Sequence, residues 1–189
     1  MIGNLPFVVP FFASRILPAL VAAPFILVTF LASPASPFKS VNTKLQGLAG
    51  ITEEGHHLGL VIYAISYTLL ALFFASRPII IAAGILPMAY GDSAAAVVGE
   101  KFGRRKYKLL ATKSLEGSIA MFFAAFLSMT VGLIFFSFLH SFAVSRILFN
   151  ALGVALVTTV VESISPRGCD NLTVPFAGAL TLILLSGGY

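Results

Sequence analysis

The sequence has little charge and lacks the aromatic residue that most often anchors membrane proteins at the lipid surface. Charged residues make up 10% of the 189 residues and hydrophobic residues 58%, whereas a soluble domain carries about 25% charged residues. This balance excludes an ordinary soluble domain and predicts an integral membrane protein. Tryptophan is absent, so the five tyrosines and eighteen phenylalanines must take the interfacial positions.

Other common features are also missing. Cysteine occurs once, at Cys169, which excludes a disulfide within the chain. The N-terminal segment MIGNLPFVVPFF has no basic region and no small-residue cleavage site, so we expect neither a signal nor a transit peptide. No Walker loop, GxSxG elbow or HExxH motif is present, which excludes those standard phosphate-binding, hydrolase and zinc-protease arrangements.

Long apolar runs recur along the chain, each near the 20 or so residues that cross a hydrocarbon core. They predict an all-α, polytopic membrane bundle, a single domain over 1–189, with six transmembrane helices at 5–32, 58–76, 78–99, 115–139, 146–162 and 172–188. The first run contains Pro10, Pro18 and Pro24. These prolines predict a kinked or tilted span or, alternatively, two short re-entrant pieces.

The cations between these runs fall mainly on one side of the predicted membrane. Loops 33–57, 100–114 and 163–171 hold nine Lys and Arg residues, against Arg77 and Arg146 on the opposite side. Because cytoplasmic loops carry the excess of Lys and Arg, we expect these three loops to be cytoplasmic and both termini to face outward. Nearly all other polar residues lie on the same side.

One acidic residue, Asp92, lies inside the predicted third span, seven residues before Gly99. At 1.5 Å per residue it is roughly 10 Å below the helix end, where an ionisable group normally faces the bundle interior or a water-filled cavity. Asp92 is therefore a candidate Mg²⁺ ligand or base for a hydroxyl; alternatively, it pairs with an arginine only to hold helices together. Gly91, Ala95 and Gly99 are spaced four apart, which favours close helix packing.

A cluster of cations follows Asp92: Lys101, Arg104, Arg105, Lys106, Lys108 and Lys113. Such a cluster can bind phosphates, but it is also typical of a topology signal or a lipid-headgroup contact. Lys113 differs because it stands where the fourth span begins, with Ser114 as a candidate N-cap and Glu116 in the first turn. A helix N-terminus offers N–H groups to phosphate. If Glu116 lies beside a phosphate, it needs an intervening cation such as Mg²⁺. Alternatively, its negative charge only interacts favourably with the dipole of the helix.

Further polar residues lie near the predicted cytoplasmic face. Glu53, Glu54, His56 and His57 close loop 33–57, but their spacing fits no standard zinc motif. We interpret Glu53, Glu54 and His57, with Glu162 at the end of the fifth span, as a possible further site, in which one of the two glutamates of the loop supplies a second contact to Mg²⁺ or a contact to the substrate. Asp170 and Asn171 precede the sixth span, where a helix N-cap and a site role both remain open.

Several segments resemble a known family. GDSAAAVVGEKFGRRKY and TKSLEGSIAMF are similar to the signature of the CTP-dependent lipid kinases, which include phytol, farnesol and dolichol kinases and the yeast-type diacylglycerol kinase, and which are related to CDP-diacylglycerol synthases. EEGHHLGLVIYAISYTLLALFF and GCDNLTVPFAGA resemble flanking segments of phytol-kinase-like members, so the likeness covers about residues 45–180. A basic–His pattern in the N-terminal span of many members has no clear counterpart before residue 33.

The resemblance implies Mg²⁺-dependent transfer of the γ-phosphate of CTP, or another nucleoside triphosphate, to a membrane alcohol such as phytol, farnesol, geranylgeraniol, dolichol or diacylglycerol. It implies catalytic roles for Asp92, Lys113 and Glu116, and metal binding by Asp92, Glu116 and Asp170. The implied nucleotide contacts are Gly91, Ser93, Gly99, Gly103, Arg104, Arg105, Lys113, Ser114, Gly117 and Asn171. The expected partners are the nucleotide, the lipid alcohol and the bilayer, with no nucleic acid.

Two other functions would use the same features. A cytidylyltransferase, which makes a CDP-activated lipid from a lipid phosphate, would need the same metal and cations. A small transporter without chemistry would instead place polar groups on both sides of the membrane, and the one-sided distribution of charge argues against it.

Overall fold

A computed structural model describes residues 2–11, 16–33, 36–37, 58–139, 144–166 and 168–187. Within these ranges the chain forms six main helices and one hairpin: α1 Leu17–Ala32, α2 Gly59–Phe74, α3 Pro78–Phe102, β1 Lys106–Lys108, β2 Thr112–Ser114, α4 Leu115–Ser137, α5 Val144–Ile164 and α6 Asp170–Leu185. Two short 3₁₀ helices, Ile2–Phe7 and Val9–Phe11, precede α1. The prediction of an all-α membrane bundle is confirmed.

Three of these helices are long and apolar enough to cross a membrane: Pro78–Phe102, Leu115–Ser137 and Arg146–Ile164. The helices α1, α2 and α6 are apolar but have 16 residues each. Such a helix is about 24 Å long, somewhat short of the ~30 Å of a hydrocarbon core. The six-span membrane topology therefore stays a prediction.

The apolar run 5–32 does not form one continuous helix. Its first part is 3₁₀-helical, and α1 begins only at Leu17. Pro18 lies in the first turn of α1, where its missing N–H would have no partner in any case. Val9 belongs to the same buried cluster as Ala19 and Ala22 of α1, so the N-terminal segment packs against the bundle.

The central helix is α3, which packs against α2, α4 and α6. Its residues from Ile80 to Met88 are all buried, as expected for a helix that is apolar on every side. Ile81 and Ile85 share a cluster with Tyr67 of α2, and Ala83 shares a second cluster with Met129 of α4. This helix therefore joins the two halves of the core.

The winding of α3 changes at Pro87–Asp92, which is π-helical. Pro87 has no N–H to donate to the carbonyl of Ala83 four residues earlier, so the regular bonding pattern fails there. At the same point α6 approaches closely, and a Cβ added to Gly178 would lie 2.2 Å from the Ala83 carbonyl oxygen. Turns of this kind often occur at functional sites, and this one ends at Asp92.

Part of the predicted loop 100–114 is a β-hairpin. Strands β1 and β2 pair antiparallel, with Tyr107 opposite Lys113. Opposite residues of such a pair point to the same face, and both side chains are half-buried, whereas Lys106 and Lys108 on the other face are exposed. The hairpin therefore turns one polar face to the helix ends and a cationic face outward.

Candidate active site

Three acidic side chains from three helices meet at one end of the bundle. Asp92 ends the π-helical turn of α3, Glu162 lies two residues before the end of α5, and Asp170 is the first residue of α6. One carboxylate oxygen from each lies within 4.8 Å of the others. Glu162 and Asp170 are buried and Asp92 is half-buried. The structure thus brings together two of the predicted metal ligands, Asp92 and Asp170, with Glu162 from the set of further candidates.

The Lys113 ammonium group neutralises part of this acidic cluster. Its Nζ lies 2.5 Å from Glu162 Oε1 and 3.1 Å from Asp170 Oδ2. Burial lowers the pKa of Lys113, but its hydrogen bonds and charge interactions with Glu162 and Asp170 outweigh burial and raise the pKa above its ordinary value of 10.5. The stabilisation from this pairing is therefore fully present below pH 10.5 and is lost as the pH rises through the raised pKa.

Asp170 is held by the backbone of the turn that leads into α6. Its Oδ1 accepts hydrogen bonds from the backbone N–H groups of Gly168 and Asn171, both at 3.1 Å. Gly168 has a φ of 86°, a conformation that favours glycine. Asp170 is the first helical residue rather than the N-cap, a position that Cys169 occupies without a side-chain bond. These contacts orient the second oxygen, Oδ2, toward Lys113.

Glu162 has one oxygen without a hydrogen-bond partner among the residues that the structure describes. Its Oε1 accepts from Lys113, while Oε2 is buried and unpaired. Leaving a buried acceptor unsatisfied costs about 1–3 kcal/mol, so such an atom in a native structure calls for an explanation such as an unseen ion. The unpaired oxygen is therefore available to a ligand that binds at this cluster.

Glu116, the third predicted metal ligand, lies apart from the acidic cluster. Its two carboxylate oxygens accept from the backbone N–H of Arg105 at 3.2 and 3.3 Å. This contact fastens the chain entering β1 to the first turn of α4. Glu116 therefore positions the hairpin that carries Lys113, and the structure does not bring it to Asp92 and Asp170.

Ser114 caps α4, as the sequence predicts. Its Oγ accepts from the backbone N–H of Gly117 at 3.1 Å. A Cβ on Gly99 would lie 3.1 Å from this Oγ, and one on Gly117 would lie 3.0 Å from the Ala95 carbonyl oxygen. These short distances support the expected close packing of α3 against α4.

The remaining predicted contacts have varied surroundings. Gly91 packs against Met121, and Gly103 packs against the Gly99 carbonyl and Ser114. The Ser93 hydroxyl donates to the backbone carbonyl of Ala89 at 2.8 Å.

The backbone carbonyl of Asn171 accepts from the Ser66 hydroxyl at 2.7 Å, while Arg104 and Arg105 are exposed beside the hairpin. A nucleotide role for any of these residues stays a prediction. Glu53, Glu54, His56 and His57 lie outside the described residues.

Sequence reasoning missed the contact between the hairpin and α4. The Tyr107 and Ser118 hydroxyls lie 2.5 Å apart, which fixes the half-buried face of the hairpin over the start of α4. The signal available was the alternation of Lys106, Tyr107 and Lys108, which is typical of a strand with one sheltered face. Three-residue strands are too short to be read from such a pattern alone.

Comparison with known proteins gives the chain a family. Neither a family model nor a solved structure matches it. A phytol kinase from Synechocystis sp. is 42% identical over 137 residues, covering 71% of this chain and 56% of the relative. A probable chloroplastic phytol kinase from Triticum aestivum is 36% identical over 146 residues, covering 72% and 48%, and a chloroplastic farnesol kinase from Arabidopsis thaliana is 34% identical over 131 residues, covering 67% and 42%.

The chain spans about half the length of the curated relatives that it matches. In each case, the segment that aligns with the relative covers roughly seven tenths of this chain. Across this matched segment, the chain belongs to the phytol-kinase-like family of prenol kinases.

Proposed function

We propose that this protein is a membrane kinase that transfers the γ-phosphate of a nucleoside triphosphate to the hydroxyl of a prenol. The observation that carries the proposal is the meeting of Asp92, Glu162, Asp170 and Lys113 at one end of an apolar bundle. Phosphoryl transfer needs positioning and charge stabilisation more than covalent chemistry by the protein. The names of the relatives, phytol and farnesol kinases, support the choice of acceptor.

The donor set of the acidic cluster suits Mg²⁺. It consists of carboxylate oxygens, the ligands that this ion prefers, and Glu162 also has the buried, unpaired oxygen Oε2. We propose that Asp92, Glu162 and Asp170 hold the ion. When bound, Mg²⁺ would neutralise charge on the phosphate oxygens during transfer.

Other contacts with the phosphates and with the hydroxyl would come from side chains of the chain itself. Lys113 forms ion pairs with two of the carboxylates and is close enough to the cluster to attract a phosphate oxygen. Asp92 is the most exposed of the three acids, so its carboxylate can accept a hydrogen bond from the incoming hydroxyl. The exposed Arg104 and Arg105 would bind the outer part of the triphosphate.

In the proposed reaction, the alcohol oxygen forms a bond to the γ-phosphorus as the bond to the bridging oxygen breaks. The nucleoside diphosphate leaves, and the hydroxyl proton passes to a carboxylate of the cluster or to water. The resemblance of the GDSAAAVVGEKFGRRKY segment to its family favours CTP as the donor. We expect the site to lie on the cytoplasmic side, where the loop cations concentrate.

A labelled-nucleotide assay tests this function. The purified protein in lipid nanodiscs would receive phytol or farnesol with each of the four nucleoside triphosphates, labelled on the γ- or the α-phosphate. We expect γ-label in the extracted lipid, most with CTP, and loss of transfer when a chelator removes divalent ions. In a parallel reaction with farnesyl phosphate as the acceptor, incorporation of α-label from CTP into the lipid would indicate a cytidylyltransferase. No lipid label under any condition would contradict both chemistries.

A further inference from the structure

A groove between α4 and α5 begins about one helical turn from the acidic cluster and has a volume of about 270 Å³. From α4 it is lined by Ser118, Ile119, Phe122 and Phe123, and from α5 by Leu156, Thr159 and Val160. Five of these seven side chains are hydrocarbon. The volume is just below the ~300–1,000 Å³ typical of small-molecule pockets, so the groove can hold part of a lipid.

The groove connects with the acidic cluster through both of its helices. Thr159 lies three residues before Glu162, and residues so spaced share one face of a helix. On the other wall, Ser118 bonds to Tyr107 of the hairpin, and Tyr107 stands opposite Lys113. The cluster end of the groove is thus polar, and the rest is apolar.

We infer that this groove binds the isoprene part of the alcohol that adjoins the hydroxyl, an inference that rests on the proposed function. From Ser118 to Phe123 the groove extends about 8 Å along α4, far less than the ~30 Å of a hydrocarbon core. The groove therefore holds the head end of a long chain, and the rest of the chain lies among the membrane lipids. This position brings the hydroxyl toward Asp92 and Glu162.

Branched and aromatic side chains in the groove suit a methyl-branched chain. Ile119, Leu156 and Val160 present branched surfaces, and Phe122 and Phe123 pack edge to face with ring centroids 5.3 Å apart. Selectivity then resides in the isoprene unit next to the hydroxyl rather than in the total length. Phytol and farnesol should be used about equally well, and an unbranched alcohol of similar length should be a weaker acceptor.

The test compares two isoleucines of α4. Ile119 is 49% exposed and lines the groove, whereas Ile134 is 44% exposed and lies outside it. Ile119→Trp fills the groove, so we expect KM for farnesol to rise about 10-fold or more while KM for the nucleotide is unchanged. Ile134→Trp should behave as the unsubstituted protein does. Equal effects of the two substitutions, or no effect of Ile119→Trp, would overturn the inference.

A second measurement locates the bound alcohol on the unsubstituted protein, so it tests the inference even if Ile119→Trp fails to fold. A farnesol analogue with a diazirine near its hydroxyl would be cross-linked to the unsubstituted protein, and the labelled peptides would be identified by mass spectrometry. Label on residues 118–123 and 156–160, removed by excess farnesol, is the expected result. Label elsewhere, or label that excess farnesol does not displace, would overturn the inference. Failure of unsubstituted protein to phosphorylate any prenol would instead refute the proposed function.

Discussion

Among single residues, the position of Lys113 could be predicted from the sequence, but its partners could not. Its place before the fourth apolar run predicted a cation at a helix start, and the structure puts it on β2, two residues before the first residue of α4. Its partners could not be predicted, because Glu162 and Asp170 follow it by 49 and 57 residues. The ammonium group lies between two carboxylates and reduces the repulsion between them in a buried setting.

The two glutamates Glu116 and Glu162 illustrate the same limit. Both lie near a helix end on the predicted cytoplasmic side, and the sequence gives no way to tell which one points toward Asp92. In the structure, Glu162 joins the acidic cluster and Glu116 binds the backbone of Arg105. Loss of the Glu162 charge should therefore affect phosphoryl transfer far more than loss of the Glu116 charge.

At the level of helices, hydrophobic runs located most elements to within a few residues. The run 115–139 corresponds to α4 at Leu115–Ser137, and 58–76 corresponds to α2 at Gly59–Phe74. The π-helical turn was not predicted, because Pro87 marks a missing hydrogen bond in the sequence but not the conformation that the helix adopts around it. The 3₁₀ start of the run 5–32 was missed for a similar reason, since its prolines predict a break but not the conformation on either side.

The contact between α3 and α6 gives an element-level prediction. A Cβ on Gly178 would lie 2.2 Å from the backbone oxygen of Ala83, whereas one on Gly153 would meet only the Leu185 side chain, at 2.5 Å. Gly178→Ala should therefore lower the free energy of unfolding by about 1–3 kcal/mol, because backbone cannot move aside as a side chain can. Gly153→Ala should be neutral or stabilising by up to about 1 kcal/mol, from helix propensity.

Thermal unfolding of both variants in detergent would measure this difference. Since α6 carries Asp170, activity should fall with stability in Gly178→Ala and persist in Gly153→Ala. Equal unfolding temperatures for the two variants would show that the α3–α6 approach is not as close as described.

For the whole molecule, the distribution of charge predicted that polar chemistry would gather at one end of the bundle. In the described residues, Asp92, Lys113, Glu162 and Asp170 do lie together, although they come from four separate segments. What the sequence could not supply was the order in which the helices pack around α3. That order decides which of the polar residues on one side become neighbours.

The orientation of the bundle can be tested with Cys169. It is the single cysteine of the chain, is exposed, and lies one residue before Asp170. In a bacterial host we expect a membrane-impermeant maleimide to label it in inside-out vesicles and to spare it in sealed right-side-out cells. Phe138→Cys in a Cys169→Ser background, at the far end of α4, should give the opposite pattern. Labelling of both positions from one side would contradict the proposed topology.

A comparison of Glu162→Gln with Glu116→Gln, each at saturating nucleotide and farnesol, tests the proposed active site. Both substitutions remove one charge and keep the side-chain size, and gel filtration would verify that each variant remains folded. If the acidic cluster transfers phosphate, kcat should fall by about 100-fold or more in Glu162→Gln and stay within several-fold of the unsubstituted value in Glu116→Gln. Near-normal turnover in a well-folded Glu162→Gln protein would contradict the account.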